Sequence, residues 1–250
     1  MALQPRIIPV LLLHKGGLYK TKQFNKPSYV GDPINAVRIF NEKQVDELMI
    51  LDIDSSVNST EPNYELIEEI ASEAFMPVAY GGGVKNLEIA KKLFKLGIEK
   101  VVLNSVLQYN LQLIKDIGDV YGAQAVVACI DVKKNIFGKT QACYRGGRVK
   151  AIQRIAHLAK EFENTGAGEL LLNDIDKEGT YSGYNLTLLK EIVRIVQIPV
   201  IISGGASCLQ DFSDAAKNGA SGMAAGSMFI YQRPHNAVLI SYPSNYFYNQ

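Results

Sequence analysis

Little in this 250-residue chain suggests a stapled, metal-knit or membrane-spanning protein. Its only cysteines, Cys129, Cys143 and Cys208, are odd in number and far apart. That spacing fits neither a disulfide framework nor a zinc site, and it suits a reducing cytoplasm. No apolar stretch reaches the roughly 18 residues that a spanning helix needs, so no membrane insertion is expected. The amino-terminal MALQPRII lacks the layout of a signal peptide. Lysine and arginine total 26 against 25 aspartates and glutamates, a net charge of +1. This leaves no bulk electrostatic case for nucleic acid or an anionic membrane surface. There is no linker and no low-complexity tract. The expectation is a cytoplasmic chain with neither metal nor cofactor.

What the chain does have is a repeat. The stretch PVAYGGGVKNLEIAKKLFKLGIEKVVLNS (77–105) is restated 122 positions later as PVIISGGASCLQDFSDAAKNGASGMAAGS (199–227). Pro77, Gly82, Gly83, Gly97 and Ser105 return as Pro199, Gly204, Gly205, Gly219 and Ser227. DELMILDID (46–54) and GELLLNDID (168–176) keep the same offset. A fixed offset near half the chain means two copies of one unit. Each copy holds about four strand–helix pairs, and eight such pairs close a single α/β domain, the (β/α)₈ or TIM barrel. One barrel over 1–250 is therefore expected, with half-barrels at about 1–122 and 123–250.

In order, RIIPVLLL (6–13) is a continuous apolar run, as in a strand buried on both faces. Residues 14–31 are too long and polar for an ordinary connection, which suggests a lid or a disordered loop. Asp32-Pro33 opens the first helix as N-cap and first helical residue. Strands follow at 45–53, 76–80 and 100–103, with helices at 64–74, 86–96 and 110–121. The second half runs through a strand at 125–132 and a hairpin over 133–150. A helix with Ile152, Ile155, Ala156 and Ala159 on its buried face comes next. Strands at 169–173, 200–203 and 222–225 finish the pattern, with helices carrying Leu189–Val196 and 209–217. No clear eighth helix is visible in the tyrosine-rich tail PHNAVLISYPSNYFYNQ.

The loops after the strands of such a barrel share one rim, where ligands bind. Gly82-Gly83 and Gly204-Gly205 close strands three and seven; Asn104-Ser105 and Gly226-Ser227 close strands four and eight. Glycine lets backbone N–H groups approach an anion closely. Each glycine pair alone reads equally well as a tight turn, but two matching sets point to two phosphate cradles and a long ligand with a phosphate at each end. Asp131 ends strand five and is a candidate general acid or base. Aligning strands one and five sets Leu12, which cannot carry a proton, opposite it. Asp52 with Asp54, and Asp174 with Asp176, either carry protons or merely bond across the rim. Arg6, Glu47, Lys100 and Glu169 stand at strand starts on the opposite rim. Spacing alone reads them as ordinary surface charge.

Over about 6–232 the chain resembles the cyclase subunit of imidazole glycerol phosphate synthase. The resemblance rests on RIIPVL, GDPINA, DELMILDI, GGGV, KVVLNS, AVVACIDVK, GAGELLLNDIDKEGTYSGY and SGGA. It implies a barrel that receives ammonia from a class I glutaminase docked at its bottom rim. At the top rim that ammonia reacts with a bis-phosphorylated ribulosyl compound, giving imidazole glycerol phosphate and an aminoimidazole carboxamide ribotide. By the same resemblance Gly83, Asn104, Ser105, Gly205 and Ser227, with Gly82, Gly204 and Gly226 beside them, hold phosphates. Lys20 is the loop lysine, Asp176 belongs with the substrate residues, and Arg6, Glu47, Lys100 and Glu169 form an ammonia gate. Of the family's two catalytic aspartates, Asp131 matches and the other falls on Leu12. The tail departs as well. The pattern is similar to a divergent branch found with surface-polysaccharide genes, such as those of lipopolysaccharide. There a glutaminase and a cyclase-like barrel supply ammonia to a separate sugar amidotransferase that builds an acetamidino group. Two readings follow: an ammonia conduit of that kind, which does not need the missing carboxylate, or a cyclase of histidine synthesis with Asp52 or Asp54 as substitute acid.

Overall fold

The computed structural model describes residues 5–58 and 60–243. The chain begins with β1 (Arg6–His14), β2 (Gly17–Lys22), β3 (Asn25–Gly31), α1 (Pro33–Glu42) and β4 (Leu48–Asp52). It continues through α2 (Ile53–Asn58), α3 (Tyr64–Glu73), β5 (Val78–Gly81), α4 (Leu87–Lys95), β6 (Lys100–Leu103) and α5 (Gln112–Tyr121). The second half opens with β7 (Val126–Lys134), β8 (Thr140–Tyr144), β9 (Val149–Lys150), α6 (Ile155–Thr165) and β10 (Glu169–Asp174). Then come α7 (Leu186–Val193), β11 (Val200–Ser203), α8 (Leu209–Lys217), β12 (Gly222–Ala225), α9 (Ser227–Ile230), β13 (Tyr231–Gln232) and β14 (Ala237–Val238).

Eight of these strands pair in parallel in the order β1-β4-β5-β6-β7-β10-β11-β12, and β12 returns to β1. The closed ring is a (β/α)₈ barrel with helices between successive strands. Alternation along each strand divides the apolar residues between two cores. Ile8, Val10 and Leu12 of β1 face inward with Met49, Ala79, Val102, Val127, Cys129, Leu171, Ile201 and Ala224. Ile7, Leu11 and Leu13 face outward into the larger core under the helices. Strands buried on both faces need continuous apolar runs, which is why RIIPVLLL shows no polar alternation.

Helix starts repeat with the barrel. Asp32 caps α1 by accepting from Asn35 N–H, with Pro33 at the first helical position. Asn63 caps α3 and Asn185, 122 positions on, caps α7. Asn86 caps α4, and Cys208 stands in the same place before α8.

Two expectations fail. Residues 14–31 are no open loop: they fold into the β2–β3 hairpin, which extends the barrel sheet by pairing β2 antiparallel to β1. The turn at Lys15-Gly16 has positive φ at both residues, the twist that a tight hairpin needs. Ile152 does not join a helix face; it is 99% exposed, and α6 starts at Ile155. The 3–4 spacing of apolar residues there is real, but Ala151 N–H donates to Ala142 O and keeps the chain extended along β8. In the tail, four helical residues of α9 are followed by the β13–β14 hairpin. The tail then crosses to the strand starts, where Tyr242 Oη donates to Ile7 O at 3.1 Å. The tyrosine-rich end beyond Pro243 lies outside the described residues.

Candidate active site at the top of the barrel and charged ring at its base

Asp131 lies at the inner face of β7, two residues beyond Cys129, and is 7% exposed. Its Oδ1 accepts from Asn173 Nδ2 at 2.9 Å and has Cys129 Sγ 3.7 Å away. Burial pushes its pKa up to about 6, although the bonds from Asn173 and Cys129 pull the other way. A carboxyl so placed exchanges protons near neutral pH, which suits a general acid or base. Asn173 went unnoticed in the sequence, yet it had a signal. In β7 and β10 the pair Asp131–Asn173 is in register, and in β1 and β4 the corresponding pair is Leu12–Leu51. One half of the mouth thus carries a hydrogen-bonded carboxylate and amide where the other carries two leucines. Leu12 is buried among the inward-facing apolar side chains.

The remaining aspartates are held by protein groups. Asp52 accepts from Ser55 N–H (2.9 Å), Ser55 Oγ (2.8 Å) and Tyr80 Oη (3.1 Å). Asp174 accepts from Asn185 Nδ2 (2.8 Å) and Asp176 N–H (3.1 Å). Asp54 accepts from Lys15 N–H at 2.6 Å and lies 2.6 Å from His14 Nδ1. Asp176 accepts from Lys134 N–H, also at 2.6 Å. Lys15 directly follows β1 and Lys134 is the last residue of β7, the two strands that carry Leu12 and Asp131. Asp54 and Asp176 therefore latch equivalent strand ends in the two halves.

The glycine pairs are required first by the protein itself. A Cβ on Gly82 would stand 2.4 Å from Asp52 O, and one on Gly204 2.5 Å from Asp174 O. Both have positive φ, as do Gly83 and Gly205. The neighbouring residues complete two matching sets. Asn104 Nδ2 donates to Cys129 O (3.1 Å), and Ser105 Oγ accepts from Arg145 N–H (3.1 Å) and donates to Asn104 Oδ1 (3.2 Å). On the other side Ser227 opens α9 directly after Gly226. Lys20, on the β2–β3 hairpin, reaches this second set: its Nζ is 3.3 Å from Val10 O and occupies the space that a Cβ on Gly226 would fill. Burial lowers the Lys20 pKa against the pull of Glu178. The same hairpin is tied down across the mouth. Gln23 N–H donates to Glu178 O (2.9 Å) and Gln23 Nε2 to Asp176 O (2.8 Å).

At the opposite rim Arg6, Glu47, Lys100 and Glu169 form one closed ring. Arg6 pairs with Glu47, and its Nη2 lies 3.1 Å from Glu169. Lys100 Nζ lies 2.8 Å from Glu47 and 3.1 Å from Glu169. Burial works against the Arg6 charge, but the two carboxylates outweigh it and hold its pKa above the ordinary value. Ordinary surface charge this is not, since Glu47 is 1% exposed. Glu47 Oε1 and Glu169 Oε2 are buried without a hydrogen-bond donor. The ring therefore keeps two open acceptor positions, a cost that folded proteins rarely leave unanswered.

No helix among the described residues is long and apolar enough to cross a membrane. Residues 6–235 match the family described as "Histidine biosynthesis protein". The chain is 48% identical over 239 residues to a Pseudomonas aeruginosa protein provisionally named imidazole glycerol phosphate synthase subunit hisF2, covering 95% of both chains. It is 45% identical over 244 residues to a similarly named HisF subunit of Leptospira borgpetersenii, covering 97% of this chain and 96% of the other. Identity to the imidazole glycerol phosphate synthase subunit HisF of Alkaliphilus metalliredigens is 38% over 227 residues, 90% of each. A barrel built from two matching halves, with the charged ring at one end and paired glycine turns at the other, belongs to the histidine biosynthesis family, as one of its HisF-like imidazole glycerol phosphate synthase subunits.

Proposed function

We propose that this chain is the ammonia-receiving barrel of a glutamine-dependent assembly, working for a sugar amidotransferase rather than as an efficient cyclase. The observation that carries the proposal is the Leu12–Leu51 pair in the register position where the other half holds Asp131–Asn173. A cyclisation that needs two opposed proton carriers has one wall without a titratable group, whereas a conduit for ammonia loses nothing by it. Asp52 offers no ready substitute, because it stands in register with the outward-facing Leu13 rather than with the inward-facing Leu12, and Asp54 is held against Lys15 and His14 at the end of β1. The ring at the base fits the same reading. Its two open carboxylate oxygens suit a small hydrogen-bond donor such as ammonia, delivered by a class I glutaminase bound at that rim. The acceptor of the ammonia is then an acetamidino-sugar pathway enzyme of the kind tied to lipopolysaccharide synthesis. A phosphorylated sugar-type ligand at the glycine cradles would serve as regulator or remnant substrate.

Cyclase chemistry is the second reading, favoured by the paired cradles and by an Asp131 carboxyl poised near neutrality. The Leu12→Asp variant separates the two. With ammonium and the bis-phosphorylated ribulosyl substrate, the native chain should turn over slowly, and Leu12→Asp should raise the rate about 10²-fold or more, the usual contribution of one general acid or base. Native turnover at the level of an ordinary cyclase would refute the conduit reading.

A further inference from the structure

The sheet that β7 extends above the mouth is unlike the rest of the surface. Residues 133–154 contain seven lysines and arginines and no aspartate or glutamate, whereas the rest of the chain has 19 lysines and arginines against 25 aspartates and glutamates. All seven are exposed. None forms an ion pair among the described residues. The same segment carries three of the most exposed large apolar side chains: Ile136 at 93%, Phe137 at 86% and Ile152 at 99%. Yet the segment is well built. β8 pairs with β7 from Asp131–Cys143 to Lys134–Thr140, and β9 pairs with β8. Asn135 ties the tip, its Oδ1 accepting from the N–H groups of Phe137 and Lys139. Its other turn reaches the mouth, through Arg145 N–H to Ser105 Oγ. A hydrogen-bonded sheet whose β7–β8 turn holds Ile136 and Phe137 in water, with Ile152 exposed just past β9 and positive charge without ion pairs around them, has the composition of a docking surface.

We propose that this β7–β9 sheet docks the ammonia-consuming enzyme, through an acidic surface on that partner with an apolar pocket for Ile136 and Phe137. The inference rests on the conduit reading above and names where that conduit delivers. A protein is favoured over a membrane or RNA by position. The strand that carries Asp131 at the mouth continues directly into the sheet, so an occupant seated there caps the opening. Ammonia released into open water would be diluted, and only a partner that closes the mouth retains it.

The test reconstitutes the barrel with its glutaminase and the sugar amidotransferase and compares glutamine with free ammonium as nitrogen source. Ile136→Ser with Phe137→Ser removes two side chains that lie almost wholly in solvent. This variant should lose glutamine-driven product by at least about tenfold, keep ammonium-driven product, and stimulate the glutaminase as the native chain does. Lys139→Glu with Arg148→Glu should weaken coupling further, and raised salt should mimic it. Native coupling with an unchanged Ile136/Phe137 variant would overturn the docking surface alone. Failure of the native chain to couple would sink the conduit and the surface together. Binding to phosphatidylserine vesicles or to poly(U) that Ile136→Ser/Phe137→Ser abolishes, with coupling intact, would assign the sheet to a membrane or to RNA instead.

Discussion

Asp131→Asn is a change that should make the protein more stable, in a way that depends on pH. Burial raises the Asp131 carboxyl from its ordinary 3.8 to about 6 in the folded state. Between those two values the folded chain holds a proton that the unfolded chain has already released. Stability therefore falls as pH rises through this window, and above it the ionised carboxylate leaves a standing cost of about 3 kcal/mol, at 1.36 kcal/mol per pK step. Asparagine keeps the shape, its carbonyl can still accept from Asn173 Nδ2, and it has no charge to bury. Against this stands the new amide group, whose N–H donors lack an assured partner, at a cost of about 1 kcal/mol. The variant should exceed the native chain by about 2 kcal/mol at pH 7 and lose that advantage by pH 4. Urea unfolding of both proteins at half-unit steps from pH 4 to 7.5 isolates the effect, because the other titrating groups cancel in the difference. Parallel stability curves, or an asparagine variant weaker at pH 7, would refute the placement of a desolvated carboxylate at the mouth.

Lys100→Met removes the cation that Glu47 and Glu169 share. Both carboxylates are buried, so the change should cost about 3–5 kcal/mol, read as a lower denaturation midpoint; an unchanged midpoint would mean that the ring carries no energetic weight. Phosphate or sulfate soaked into crystals at high millimolar concentration should settle at Gly83–Ser105, at Gly205–Ser227 or at both, held by backbone N–H groups. Two empty cradles would count against anion binding.

The barrel was legible because its signals are redundant. The 122-residue offset, the apolar runs and the Asp32 cap all state the same topology. The ring at the base could be located by strand starts, but not its closure, since four residues from Arg6 to Glu169 meet only when the sheet curls shut. The β2–β3 hairpin was missed for a local reason. Its tip turns at Gln23-Phe24, both with positive φ and neither a usual turn former. The aspartates were ambiguous because their fates depend on remote donors: Tyr80 for Asp52, Asn185 for Asp174. Ile152 misled because helical spacing is blind to the bond from Ala151 N–H to Ala142 O, which holds the chain just before it against β8.

The mismatch between Leu12–Leu51 and Asp131–Asn173 also sets how the mouth is wetted. Toward β1 and β4 the wall is hydrocarbon; toward β7, β10 and β11 it offers Asp131, Asn173 and Ser203, all buried and polar. Water and small polar solutes at the mouth have hydrogen-bonding partners along one side only, the side of β7, β10 and β11. The wetted side of the opening is thus bounded by β7, the strand that runs on into the basic sheet.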